Sequence, residues 1–146
     1  MIGKLEKRYG GRLGVAVRDT ASNRTLAHRG GERFALCSTF KCLAAALVLA
    51  RVDKGEERLD RRVIYGKSDL VTYSPVTEKH VDGEGMTVAE ICEAAITLSD
   101  NTAGNLMLDS FGGPAGLTAY LRSLGDKVTR LDRRETELKG NAGRPA

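Results

Sequence analysis

The chain has 146 residues, 41% of them hydrophobic and 29% charged, and its 23 basic and 19 acidic residues leave a net charge of +4. This composition suits one globular domain with a real core and excludes a disordered or fibrous chain. The charges are interspersed, Trp is absent and aromatics make up 5%, so the basic stripes and stacking platforms of a nucleic-acid binder are missing.

No apolar run approaches the roughly 18 residues of a membrane span. The longest, Cys42 to Ala50, is closed by Arg51. The N-terminal "MIGKLEKRYGG" lacks the apolar core of a signal peptide. The chain as written is therefore expected in the cytoplasm, unless a leader was replaced by the starting methionine. Three cysteines, Cys37, Cys42 and Cys92, make an odd count and no disulfide framework. Cys37 and Cys42, five apart on a helix, face different sides and are not expected to bond each other. His28 and His80 have no metal-ligand spacing, so no metal site is expected, and both read as surface residues.

In chain order, Lys4 to Tyr9 reads as the end of a charged helix closed by Gly10-Gly11. Leu13 to Thr20 and Arg24 to Gly30 read as two strands around an "ASN" turn, an antiparallel hairpin. Ser38 to about Asp53 is rich in Ala and Leu and predicts a helix ending near Gly55. Residues 56 to 86 read as a long irregular connection, a length that calls for a functional or packing reason. Thr87 and Glu90 form a capping box, and Val88, Ile91, Ala95 and Leu98 recur at helical spacing behind it. A short helix follows in "DNTAGNLMLDSF". After the "GGP" break, Pro114 suits the first turn of another helix, closed by Gly125. Met86 and Met107 read as core residues. Arg130 and Asp132 suit a local ion pair of little energetic weight.

Two motifs bear on chemistry. Ser38 and Lys41 stand at i and i+3 at a helix start, where unpaired N–H groups and the positive dipole end favour an anionic intermediate. A neighbouring amine can take the serine proton if its pKa falls. By itself S-x-x-K is equally the polar start of a buried helix. "SDN" at Ser99 to Asn101 is equally an ordinary helix cap. Together, in this order and about 60 residues apart, they form two of the three motifs of serine β-lactamases and penicillin-binding proteins.

The chain resembles the class A serine β-lactamases. "GRLGVAVRDT", "RFALCSTFK", "YSPVTEK", "GMTVAEICEAAITLSDNTAGNLML", "GGPAGLTAYLRSLGD" and "TRLDRRETEL" fall in that family's order and spacing, from about Gly11 to Leu138. A cysteine directly before the nucleophile, here Cys37, resembles the broad-spectrum and carbapenem-hydrolysing branches. The resemblance implies the fold of the serine β-lactamases and penicillin-binding transpeptidases, an α/β (α+β) architecture. It implies hydrolysis of the β-lactam amide, a small-molecule substrate, through a serine acyl-enzyme without cofactor. It implies Ser38 as the acylated nucleophile and Lys41 as proton acceptor or relay. Ser99 would pass a proton to the leaving lactam nitrogen. Asn101 would hold the substrate side-chain carbonyl, and Tyr73 would stand at the pocket mouth. Glu135, 36 residues after Ser99, would activate the deacylating water, which separates a hydrolase from a penicillin-binding protein. On composition alone it is one more solvated charge in "DRRETELK".

The departures from the family are as informative. Lys139 stands where the family places an amide that helps hold the water, and "KGNAGRPA" no longer resembles the family. The third motif, a Lys-Thr/Ser-Gly on a strand that also supplies the second oxyanion donor, does not occur. Losing one such donor costs about 100- to 1,000-fold in turnover. The expectation is an incomplete fold: residues 1–30 a helix end and hairpin of the α/β domain, 31–138 the helical domain, 139–146 a divergent tail. It lacks the C-terminal strands and helix. Such a chain is expected to be a monomer if folded and prone to aggregate if its sheet is incomplete; its readings are an impaired β-lactamase, an inactive remnant or fragment needing complementation, or a penicillin-binding protein that acylates without turnover. The family is periplasmic or secreted. Cys37 and Cys92 would lack the partners they have in relatives, and Cys42 reads as a small buried hydrophobe. Arg133 resembles the arginine that braces the family's active-site loop.

Overall fold

A computed structural model of the chain describes residues 2–137; Leu138, Lys139 and the divergent tail lie outside the described residues. The chain divides between Ala35 and Leu36 into two compact units.

The first unit is helix α1 (Ile2–Tyr9) and a hairpin of β1 (Val15–Arg18) and β2 (Thr25–His28), antiparallel with Val15 opposite His28. Both strands are shorter than the sequence predicts, and neither buries a residue. Glu6 ties helix to hairpin: its carboxylate accepts from Leu13 N–H at 2.8 Å and from Arg29 Nε at 2.8 Å. His28 lies 3.2 Å from the same carboxylate, half-buried and partnered rather than a plain surface residue. The Arg29 bond first, then the Leu13 amide, holds the Glu6 carboxyl down at about 2.

The second unit is built on α2 (Phe40–Asp53), which packs against α3 (Val88–Thr97), α4 (Asn101–Asp109) and α5 (Gly113–Ser123). The core is the shared face of these helices: Phe40, Ala44 and Val48 from α2, Ile91 and Ala94 from α3, Met107 and Leu108 from α4, Leu117 and Leu121 from α5. Each large apolar side chain so buried contributes about 1.5–3 kcal/mol. Met86 and Met107 are both core, as expected. The Thr87 capping box is present in full, with Glu90 N–H donating to Thr87 Oγ1 and Thr87 N–H to Glu90.

Two features differ from expectation. The connection 56–86 contains a two-residue ladder, β3 (Arg62–Val63) against β4 (Met86–Thr87). So short a pair has no sequence periodicity to detect. It depends on Gly85 at φ +67°, where a Cβ would lie 2.0 Å from the Val63 carbonyl oxygen. Cys42 is exposed, not buried. The helix α2 is apolar nearly all round, but only the face of Phe40, Lys41, Ala44, Ala45, Leu47 and Val48 is covered, while Cys42, Ala46 and Leu49 lie on the opposite one. All three cysteines are free thiols. No helix among the described residues is long and apolar enough to cross a membrane.

Candidate active site

A single 3₁₀ turn, Cys37–Thr39, precedes α2, so Ser38 stands just ahead of the α-helix rather than inside it. Lys41 follows in the first turn and is turned inward, 1% exposed. Its ammonium donates to the Ser99 carbonyl at 2.7 Å and to Asn101 Oδ1 at 2.7 Å, and lies 3.2 Å from Ser99 Oγ. Glu135 Oε1 is 3.5 Å from the same nitrogen. Burial lowers the Lys41 pKa, and the Glu135 and Asp100 carboxylates oppose that shift.

The Ser38 hydroxyl donates to Glu135 Oε1 at 3.4 Å. One carboxylate oxygen therefore faces both the serine and the lysine. The structure thus joins Ser38 to Lys41 through Glu135, across 97 residues of chain. Glu135 is itself buried, in the loop after α5. Its backbone is clamped by the Asn105 carboxamide, which donates to the Glu135 carbonyl at 2.9 Å and accepts from its N–H at 3.0 Å.

Ser99 and Asn101 flank the start of α4, with Asp100 as its N-cap. Asp100 is fully buried, and its carboxylate accepts from Val76 N–H, Thr77 N–H, the Thr77 hydroxyl and Ala103 N–H, all at about 3 Å. This fastens the loop over 71–77 to the helix. Asn101 does the same nearer the site: its Nδ2 donates to the Thr72 carbonyl at 2.8 Å and its N–H to the Tyr73 carbonyl at 3.0 Å. Tyr73 thus joins the cluster through its backbone, while its side chain is 61% exposed. Cys37, Tyr73 and Ser99 all have left-handed backbones, φ +44°, +65° and +55°. Such conformations cost about 1–3 kcal/mol each and gather where surrounding bonds hold them.

The structure therefore brings together Ser38, Lys41, Ser99, Asn101 and Glu135, with Tyr73 at the edge. Asp100 reads in the sequence only as part of a possible cap in SDN, and Asn105 was missed. Asp100 carries the signal of an acidic residue directly before a helix. Asn105 stands four residues after Asn101 on one helical face, a spacing that points both amides the same way. A hollow of about 370 Å³ lined by Arg51, Glu57, Arg58 and Arg61 contains none of these residues, and its arginines are paired with Glu56, Asp60 and Glu57. Arg130 and Asp132 pair at 3.1 Å, both more than half exposed. Arg133 donates to the Glu137 carbonyl. Chemically, a hydroxyl on a carboxylate beside a second hydroxyl on a buried amine is an arrangement for acyl transfer.

Comparison with known proteins places this cluster in context. A sequence model of the beta-lactamase enzyme family matches residues 1–145. Among solved structures, an ancestral (GNCA) class A β-lactamase is 72% identical, with a TM-score of 0.94 over 97% of this chain and 54% of its own. The last common ancestor of Gram-negative bacteria (GNCA4), also class A, is 70% identical with a TM-score of 0.94, again over 97% and 54%. PenP from Rhodopseudomonas palustris is 70% identical with a TM-score of 0.93 over the same shares. The chain spans about half the length of each of these structures.

Proposed function

The chain belongs to the β-lactamase enzyme family, class A by its structural neighbours, and we propose that Ser38 is the nucleophile of a β-lactam hydrolase. The observation that carries this reading is the single Glu135 oxygen facing both the Ser38 hydroxyl and the Lys41 ammonium. Ser38 Oγ attacks the lactam carbonyl carbon while its proton passes to Glu135, directly or by way of the Lys41 amine. The lactam C–N bond then breaks as Ser99, hydrogen-bonded to Lys41, gives its proton to the leaving nitrogen; the proton held on Glu135 passes through Lys41 to Ser99, which leaves Glu135 a carboxylate again. Water, deprotonated by Glu135, attacks the ester carbonyl, and Glu135 returns that proton to Ser38 Oγ as the ester C–O bond breaks and the opened acid is released. Lowering of the Lys41 pKa supports a relay role, since a buried amine gives up a proton more readily. Asn101 and Tyr73 bind the acyl side chain of the substrate, and the Ser38 N–H donates to the developing oxyanion. The family's usual place is the periplasm or outside the cell, and a monomer suffices for every step.

A second reading is favoured by the uncovered face of α2 at Cys42, Ala46 and Leu49, and by a hairpin that buries nothing. On that reading the chain works only with the remaining half of the fold supplied alongside it. Turnover of a chromogenic cephalosporin by the purified chain, beside Ser38→Ala, separates the two. Equal rates for both proteins sink the hydrolase reading. Turnover that appears only after adding the complementary half supports the second. A Ser38 acyl adduct without turnover points instead to a penicillin-binding protein.

A further inference from the structure

The segment carrying Tyr73 is fastened to α4 by a closed ring of hydrogen bonds that the reaction itself does not use. Val71 N–H donates to Thr102 Oγ1 at 3.0 Å, the Thr102 and Ser74 hydroxyl oxygens are 2.7 Å apart, and Ser74 Oγ donates to the Val71 carbonyl at 2.8 Å. Each hydroxyl has one proton to give. That of Ser74 goes to Val71, so the 2.7 Å contact is filled by the proton of Thr102, and every direction in the ring is fixed. Thr102 is 0% and Ser74 5% exposed, so water does not compete for these bonds. The ring adjoins Asn101, whose N–H and side-chain amide reach the Tyr73 and Thr72 carbonyls. It therefore brackets Thr72 and the left-handed Tyr73, φ +65°, between Val71 and Ser74.

We propose that Thr102 and Ser74 are positioning residues whose hydroxyl ring holds the Thr72–Tyr73 backbone, and with it the Asn101 carboxamide, in the geometry that docks the substrate's acyl side chain. This rests on reading Asn101 and Tyr73 as substrate-binding residues. Among the described residues the two hydroxyls bond only within the ring and to the Thr102 N–H, not to Ser38, Lys41 or Glu135. Their loss falls on binding before the chemical step.

Thr102→Val keeps the side-chain shape, leaves Val71 N–H without its acceptor and removes the proton given to Ser74 Oγ; Thr102→Ser keeps the ring. Two readouts apply. Backbone amide exchange at Val71 and Asn101, followed by NMR, needs no catalysis. Acylation of Ser38 by benzylpenicillin, followed by intact mass against concentration, gives a half-saturating concentration and a maximal rate. Thr102→Val is expected to speed exchange at both amides by about tenfold, the equivalent of one buried hydrogen bond. It is expected to raise the half-saturating concentration about fivefold with the maximal rate within about twofold. Thr102→Ser restores both.

Unchanged exchange at Asn101 in a folded Thr102→Val protein overturns the proposal. So does a loss confined to the maximal rate, or failure of Thr102→Ser to restore. If Thr102→Val does not fold, Ser74→Ala opens the same ring from its other side and is judged by the same outcomes. If the unsubstituted chain forms no acyl adduct, the functional reading fails on its own account, and the exchange arm still decides whether the ring holds Asn101.

Discussion

Asp100→Asn tests how the loop over 71–77 is fixed to α4. The substitution keeps the shape of a fully buried side chain and replaces one oxygen of a carboxylate that accepts three backbone N–H groups and a hydroxyl. If the new NH₂ takes the place of Oδ2, it faces both Val76 N–H and Thr77 N–H, and two donors are stranded. In the place of Oδ1 it strands only Ala103 N–H, because the Thr77 hydroxyl can turn and accept from it. The second orientation wins. One stranded N–H costs about 1–3 kcal/mol, and the two surviving bonds each weaken by about 1 kcal/mol without the charge. The expected loss is about 3–5 kcal/mol. Asp100→Ala strands all three N–H groups and is expected to lose about 3–9 kcal/mol, enough to abolish cooperative folding in a protein stable by about 5–15 kcal/mol. Equilibrium urea unfolding followed by circular dichroism measures both. An Asn variant within about 0.5 kcal/mol of the parent, or one as damaged as the Ala variant, refutes the donor count.

Glu135→Gln leaves only the Lys41 amine to take the Ser38 proton, so it is expected to slow acylation and to slow deacylation more, letting the acyl adduct persist while turnover falls by about 100-fold or more; unchanged turnover would remove the carboxylate from its role. Burial holds Lys41 below the lysine value of 10.5, so acylation through the neutral amine rises with pH around a midpoint below 10.5; a midpoint at or above it contradicts that role. Glu57, held to about 2 chiefly by its Arg61 bonds, has a depressed folded value. Its contribution to stability is complete above 4.5 and is lost as pH falls toward 2, so Glu57→Gln should flatten the stability profile in that window and leave its slope above it unchanged. Exposed Cys37 and Cys42 should react with an aromatic disulfide reagent at least about tenfold faster than Cys92, which burial pushes up to about 11. Equal rates for all three would contradict the burial of Cys92.

What was legible in the sequence is what is local. The Thr87–Glu90 box, the Pro114 start and the helix ending near Gly55 are signals spanning a few residues, and each element forms where it is written. The face that α2 buries was not legible, because a helix apolar nearly all round has no stripe to betray its direction, and Cys42 was misread for that reason. Ser38, Lys41, Ser99, Asn101 and Glu135 were found by motif spacing and family resemblance; nothing in "DRRETELK" alone distinguishes Glu135 from a solvated charge. Asn105 and Thr102 escaped notice because their partners lie 30 and 28–31 residues away. Long-range hydrogen bonds leave no imprint on the composition around either end.

The loop closures that build the site differ in span, and this orders its assembly. Lys41 meets Ser99 and Asn101 across 58 and 60 residues, between helices that also share the core, whereas Ser38 meets Glu135 across 97. The extra closure entropy is only about 0.5 kcal/mol. What separates the two events is that the longer one recruits a loop rather than a helix face. During folding, the lysine–asparagine pair is expected to condense with the α2–α4 nucleus, and the glutamate to dock onto a surface already made. A chain caught between these two events would present Ser38 and Lys41 before Glu135 reached them.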